Sequence, residues 1–112
     1  MGTFSNIKER KTFSGDIKDV VLFCAQRINA MKTWKVDEFN EEEGYIISIF
    51  LGAVQVSSAS ITKEMTYSIT LAFNSTPFGT ECIGTISNPM MEGNLIAKIM
   101  AKKMLKKFLE SL

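Results

Sequence analysis

The stretch Lys98–Leu112, KIMAKKMLKKFLESL, decides the fold. Together with Ile96 and Ala97, its apolar residues recur at spacings of three and four, which places them on one face of a helix. Those apolar positions are Ile96, Ala97, Met100, Ala101, Met104, Leu105, Phe108 and Leu112. Lysines fill the opposite arc, so the helix is predicted to cover an apolar layer and to present a basic surface to water. We expect this helix to begin near Met91.

A second amphipathic helix is predicted from Asp16 to about Lys32. Asp16 is a favourable N-cap because its carboxylate can accept hydrogen bonds from the first helical N–H groups. Apolar residues follow it at helical spacing, at Ile17, Val20, Val21, Cys24, Ile28 and Met31. Two amphipathic helices in one short chain must bury their apolar faces against a common layer.

That common layer is predicted to be a sheet. Five stretches have strand composition or alternation, namely Ile7–Phe13, Trp34–Val36, Tyr45–Leu51, Met65–Phe73 and Gly79–Ser87. Successive strands joined by short turns pair antiparallel. The prediction is therefore one α+β domain over residues 1–112, a curved antiparallel sheet in the order β-α-β-β-β-β-α packed on two helices.

Two stretches bear on where a site would lie. In the strand from Tyr45 to Leu51, the odd-numbered side chains are predicted to face the helices, and Ile46 and Phe50 the opposite side. The stretch Ala53–Ile61 stays open between strand and loop, because its valines favour a strand and its serines a loop.

Several of these motifs resemble a known class of small bacterial domains. A helix that ends in Ala30–Val36, AMKTWKV, is followed by Asp37, a polar turn and the strand start Gly44–Ile47, GYII. With Gly79–Ile83 and the long terminal helix, this pattern is similar to helix-grip, or TBP-like, domains of unknown function and to the repeated domain of the lipoprotein BamC. The resemblance implies a fold and a binding or scaffolding role, with no catalytic residue.

The composition gives little support to catalysis. The chain of 112 residues has no histidine and a net charge of +1, which removes the commonest general base and any global attraction for nucleic acid. We expect no enzyme, no catalytic residue, no cofactor and no metal site, and the run Glu41–Glu43 is interpreted as a solvated turn. Cys24 and Cys82 are expected to be buried and reduced, and the protein to be cytoplasmic.

Three functions remain open. The first is a self-associating binding or interaction module, expected to be a homodimer through an interface of Ile46, Phe50, Val54 and Val56. The second is a carrier of a small apolar ligand, in a cavity bounded by Tyr45, Ile47, Met65, Tyr67, Met100, Met104 and Phe108. The third is binding of the basic terminal helix to a membrane surface, and nucleic acid is not expected as a partner. Leu95, Ile99 and Leu109 are a rival interface to the first.

Overall fold

The computed structural model describes residues 7–51, 67–87 and 95–112, and in these residues five strands and two helices follow the predicted order. They are β1 (Lys8–Phe13), α1 (Ile17–Ala30), β2 (Trp34–Asn40), β3 (Tyr45–Phe50), β4 (Ser68–Thr76), β5 (Gly79–Ser87) and α2 (Leu95–Glu110). The α+β prediction is confirmed. Ala53–Ile61 and the predicted helix start at Met91 lie outside the described residues.

The strands form one curved antiparallel sheet in the order β1-β5-β4-β3-β2. Successive strands β2 to β5 pair through short connections, as predicted, whereas β1 pairs with the last strand because α1 carries the chain from one edge of the sheet to the other. Helix α1 packs mainly over β2, β3 and β4, and α2 packs over β1 and β5. Both helices therefore cover the same face of the sheet.

The core lies between this face and the helices. Its main members are Val20, Val21, Cys24 and Ile28 of α1, Ile46, Ile69, Leu71, Phe73, Cys82 and Ile86 of the sheet, and Ala101, Leu105, Phe108 and Leu109 of α2. Gly84 lets α2 approach closely, because a Cβ there would lie 3.0 Å from a methyl carbon of Leu105. The predicted burial of both cysteines is confirmed.

The predicted orientation of β3 is wrong. Ile46 lies in the core and pairs with Leu71, so the even-numbered residues of β3 face the helices and Tyr45 and Ile47 face the other side. The pairing of β2 with β3 shifts between Val36 and Glu38, but the extra residue, Asp37, lies on β2 and alters that strand only, while β3 pairs with β4 in unbroken register. Periodicity could not reveal the orientation, because apolar residues occupy both faces of this strand.

The apolar stripe predicted on α2 is also correct only in part. Ala101, Leu105 and Phe108 are buried as expected. However, Ile96 is 71% exposed and Met100 is 55% exposed, although both lie on the same predicted stripe. Only the second half of α2 therefore packs fully on the sheet. Of the helices in the described residues, neither is long and apolar enough to cross a bilayer.

Candidate functional site

A pocket of about 510 Å³ lies between α2 and the part of the sheet where β2 begins, β3 ends and β4 begins. Its described lining residues are Met31, Thr33, Trp34, Phe50, Tyr67, Met100, Met104, Lys107, Phe108 and Ser111. This volume is within the range of about 300–1,000 Å³ that is usual for small-molecule sites. The lining is mostly apolar, so the pocket is suited to an apolar molecule.

Aromatic side chains from four segments of the chain form a continuous row in the pocket. Trp34 pairs with Phe50 across β2 and β3, and their ring centroids are 5.1 Å apart. Phe108 of α2 meets Trp34 edge-on at 4.9 Å, and Tyr67 meets Phe50 edge-on at 6.2 Å. Rings in such contacts hold one another in place, since each edge-to-face pair adds about 0.5–1.5 kcal/mol beyond area burial. The row is therefore a rigid floor.

Flexible side chains complete the pocket. Met31 ends α1, where its backbone N–H donates to the Ile28 carbonyl, and Met100 and Met104 project from α2 one turn apart. Methionine is unbranched and polarizable, so it adapts its shape to what it touches. A rigid aromatic floor under adaptable methionine walls can accept apolar molecules of more than one shape.

The polar groups of the pocket are concentrated at the end of α2. Lys107 is the one basic side chain among the described lining residues. The Ser111 hydroxyl donates to the Lys107 carbonyl at 3.0 Å, and the Arg27 guanidinium donates to the Ser111 carbonyl at 2.8 Å. Two cations thus lie at or beside this end of the pocket, where they also complement the negative end of the helix dipole.

Four of the seven residues predicted to bind a ligand meet in this pocket, namely Tyr67, Met100, Met104 and Phe108. Tyr45 and Ile47 do not, because β3 turns them to the opposite face of the sheet. Met65 lies outside the described residues. The sequence prediction missed Met31, Trp34 and Phe50, although Met31 was on the helical stripe of α1 and Trp34 on a predicted strand.

Two of the four residues predicted to form the self-association interface do not lie on the open face of the sheet. Ile46 is fully buried in the core, and Phe50 lies in the floor of the pocket on the helix side. Val54 and Val56 lie outside the described residues. Of the rival interface on α2, Leu95 and Ile99 are exposed but Leu109 is buried. Self-association itself stays a prediction, without Ile46 and Phe50 as part of its interface.

Tyr45 was predicted to line the pocket, but it lies on the opposite face of the sheet in an exposed contact with Glu38. The Tyr45 hydroxyl donates to the Glu38 carboxylate at 2.6 Å. This hydrogen bond is the main cause that raises the pKa of Tyr45 above its ordinary value, since ionised tyrosine could no longer donate it to a carboxylate. Tyr45 is therefore part of a surface pair and not of the pocket.

No nucleophile or metal centre stands out among the described residues. Burial raises the pKa of the Cys24 and Cys82 thiols to about 12, so both stay protonated and unreactive. The Asn40 side chain accepts hydrogen bonds at 2.9 Å from the backbone N–H groups of Glu42 and Glu43, as expected for a solvated turn. Within residues 7–51, 67–87 and 95–112, no group of three histidine, cysteine, aspartate or glutamate side chains could hold a metal ion.

Comparison with known proteins shows a likeness in fold. A crystal structure of a Mesorhizobium loti protein has a TM-score of 0.57 at 14% identity, covering 93% of this chain and 90% of that chain. A crystal structure of a Rhodobacter sphaeroides protein has a TM-score of 0.34 at 13% identity, with 94% and 92% covered. Both proteins are bacterial structural genomics targets. No family model and no curated protein matches the chain. The likeness to the Mesorhizobium loti protein shows a shared α+β fold.

Proposed function

We propose that this chain is a non-catalytic binding domain that takes a small apolar molecule with an anionic end into the pocket beside α2. The observation that carries the proposal is that four aromatic rings and three methionines line one pocket of about 510 Å³. Core methionines and rings normally fill their space completely, since protein interiors are close-packed. Among the described residues they instead line an open pocket.

The class of ligand follows from the distribution of polar groups. The rings of Trp34, Phe50 and Phe108 favour a hydrocarbon body, because burying apolar surface contributes about 25 cal/mol per Å². Lys107 and the neighbouring Arg27 favour a carboxylate or phosphate at the end of that body. A fatty acid or a similar amphiphile combines both features.

A binding role is favoured over catalysis by the chemistry of the lining. Its described hydroxyl groups are Thr33, Tyr67 and Ser111, and the Ser111 hydroxyl already donates to a backbone carbonyl. Activation of such a hydroxyl normally needs an adjacent general base, and the chain contains no histidine. Glu110, the carboxylate next to Ser111 in the chain, is not among the described lining residues, and Glu92 lies outside the described part of the chain.

We also propose the helix-grip assignment and a cytoplasmic location. The first is supported by two helices on one face of a curved antiparallel sheet, in the order of the resembling families. The second is supported by Cys24 and Cys82, which are both buried in the same core as free thiols. Free thiols persist in reducing compartments.

Trp34 makes the proposal directly testable. It is the one tryptophan of the chain and lies in the pocket floor, so its fluorescence reports on this site alone. Brominated stearic acid, titrated below its aggregation concentration, is expected to quench Trp34 with a saturable one-to-one profile. Absence of quenching, or quenching that never saturates, would contradict the proposal.

A matched pair of variants separates the pocket from the rest of the helix. Met104→Gln places an amide in the pocket at nearly unchanged size, and binding is expected to weaken about fivefold to tenfold, or about 1–1.4 kcal/mol. Ile99→Gln makes a comparable change on the same helix outside the described lining and is expected to bind like the wild type. Equal loss in both variants would argue against this pocket as the site.

A further inference from the structure

The solvent side of α2 is divided along the helix into an apolar half and a basic half. Leu95 and Ile96 are each 71% exposed, Met100 is 55% exposed and Ile99 is 50% exposed. The next two turns present exposed lysines instead, at Lys102, Lys103, Lys106 and Lys107. At 3.6 residues per turn, both groups leave the helix on the side away from the sheet.

Such a division is unusual for a surface that faces only water. Four large apolar side chains within six residues form a patch of the kind that marks an interaction site. The chain as a whole carries a net charge of only +1, so the four lysines are a local concentration of positive charge and not part of a general one. The patch and the charge lie end to end on one helix.

We infer that this face of α2 docks on an anionic membrane surface. Amphipathic helices lie in the plane of the membrane with their apolar side chains buried about 5–10 Å into the boundary of headgroups and acyl chains, and the exposed apolar side chains of α2 suit that arrangement. With Ile96 and Ile99 inserted, the lysines that follow lie at the level of the anionic headgroups. The charge of this face is thus complementary to such a surface.

A second copy of the chain fits the same face less well. Two α2 helices that pack along their length about a two-fold axis run either antiparallel, which sets each apolar half against the lysines of the other helix, or parallel, which sets the lysines of the two helices against each other. Burying lysines against apolar side chains leaves their charges without partners and costs free energy. An anionic bilayer offers a partner to both halves at once.

The docking face borders the pocket. Met100 and Lys107 belong to both, so a docked helix would hold the mouth of the pocket next to the bilayer. The docking inference stands without a ligand. Only its use for exchange of a ligand with the membrane rests on the proposed function.

The test is co-sedimentation with vesicles of phosphatidylcholine alone and of phosphatidylcholine and phosphatidylglycerol mixed three to one. Wild-type protein is expected to bind the mixed vesicles at least about tenfold more tightly, and to lose that preference at high salt. Equal binding to both vesicles, or binding to neither, would overturn the inference.

Variants assign the binding to the two halves of the face. Ile96→Ser with Ile99→Ser, and Lys103→Glu with Lys106→Glu, are each expected to lower binding at least about tenfold, since each removes one of the two attractions. Phe78→Ser, at an 88% exposed apolar residue in the β4–β5 turn, and Lys8→Glu with Lys35→Glu are the matched controls and are expected to bind like the wild type.

All these positions are exposed, and circular dichroism checks that each variant folds. A concentration-dependent dimer that Ile96→Ser with Ile99→Ser abolishes, without any vesicle binding by the wild type, would replace the membrane with a second copy. The fatty-acid titration of Trp34 is done without vesicles, so a failure of docking and a failure of ligand binding are distinguishable.

Discussion

The helix-covered face of the sheet has two regions of similar hydrophobicity but different packing. In the closed region, each side chain is at most 3% exposed; this region consists of Cys24, Leu71, Phe73, Cys82 and Leu105. The open region lines the pocket and consists of Trp34, Phe50, Tyr67, Met100 and Met104. Among the described residues, the difference arises where the helices leave the sheet uncovered: α1 stops at Ala30, and the first turns of α2 stay exposed. In the described part of the chain, helix coverage and not apolar content therefore distinguishes the closed region from the open region.

The largest expected effect concerns stability in the two regions. Leu105 and Met104 are neighbours on α2, but Leu105 is fully buried over Gly84 and Met104 borders the pocket. Leu105→Ala is expected to lower the free energy of unfolding by about 3 kcal/mol, because it leaves a cavity in a filled core. Met104→Ala is expected to cost about 1 kcal/mol or less. Urea unfolding measures the free energy of unfolding of both variants. Equal losses would contradict the distinction between a filled closed region and an open region.

A smaller effect is expected from the two thiols of the closed region. Burial raises the pKa of Cys24 and Cys82 from 9.0 to about 12 in the folded protein. Their contribution to stability is therefore complete below pH 9 and is lost as the pH rises towards 12, because the unfolded chain releases these protons first.

The urea midpoint is accordingly expected to fall from about pH 8 to about pH 10, and to fall less in Cys24→Ala with Cys82→Ala than in the wild type. The double variant keeps all other titrating groups and is the control. At about pH 8 a thiol reagent should label the native protein slowly and the unfolded protein completely. Rapid labelling of both native thiols would show that the closed region is not closed.

The smallest effect is expected on the other face of the sheet. Tyr45 contacts Glu38 at the surface, whereas Tyr67 meets the Phe50 ring in the pocket floor. Tyr45→Ala is expected to leave fatty-acid binding unchanged. Tyr67→Ala is expected to weaken it about fivefold, since the substitution removes a ring that lines the pocket and that a ligand would bury. Quenching of Trp34 measures both affinities, and a loss in Tyr45→Ala would mean that the ligand binds elsewhere.

The fold was predictable because its signals are local. Helical spacing and the cap at Asp16 marked α1, and the cap is observed, with the Asp19 N–H donating to its carboxylate at 3.0 Å. Alternation marked β4, because its outward residues are polar. These signals need only neighbouring residues, and they were sufficient to give the order of all seven elements in the described residues.

The site was only partly predictable because it depends on which way β3 faces. Apolar residues stand on both sides of that strand, and Ser48, its one polar residue, lies in the core, where its hydroxyl donates to the Ile69 carbonyl at 3.1 Å. A polar residue in a strand normally indicates the solvent face, so the buried Ser48 makes the sequence pattern of β3 indicate the wrong face. For this reason Tyr45 was predicted in the pocket but lies on the opposite face of the sheet, and Phe50 was predicted on that face but lies in the pocket.

Methyl NMR of the protein during a fatty-acid titration tests the central claim most directly. Met31, Met100 and Met104 all line the pocket, and they are the methionines in the described part of the chain. Their methyl signals are expected to shift together and to saturate, while the methyl signals of Leu71 and Leu105 in the closed region stay in place. Shifts confined to the closed region, or no saturable shift in these three methionines, would contradict an open pocket that binds an apolar ligand.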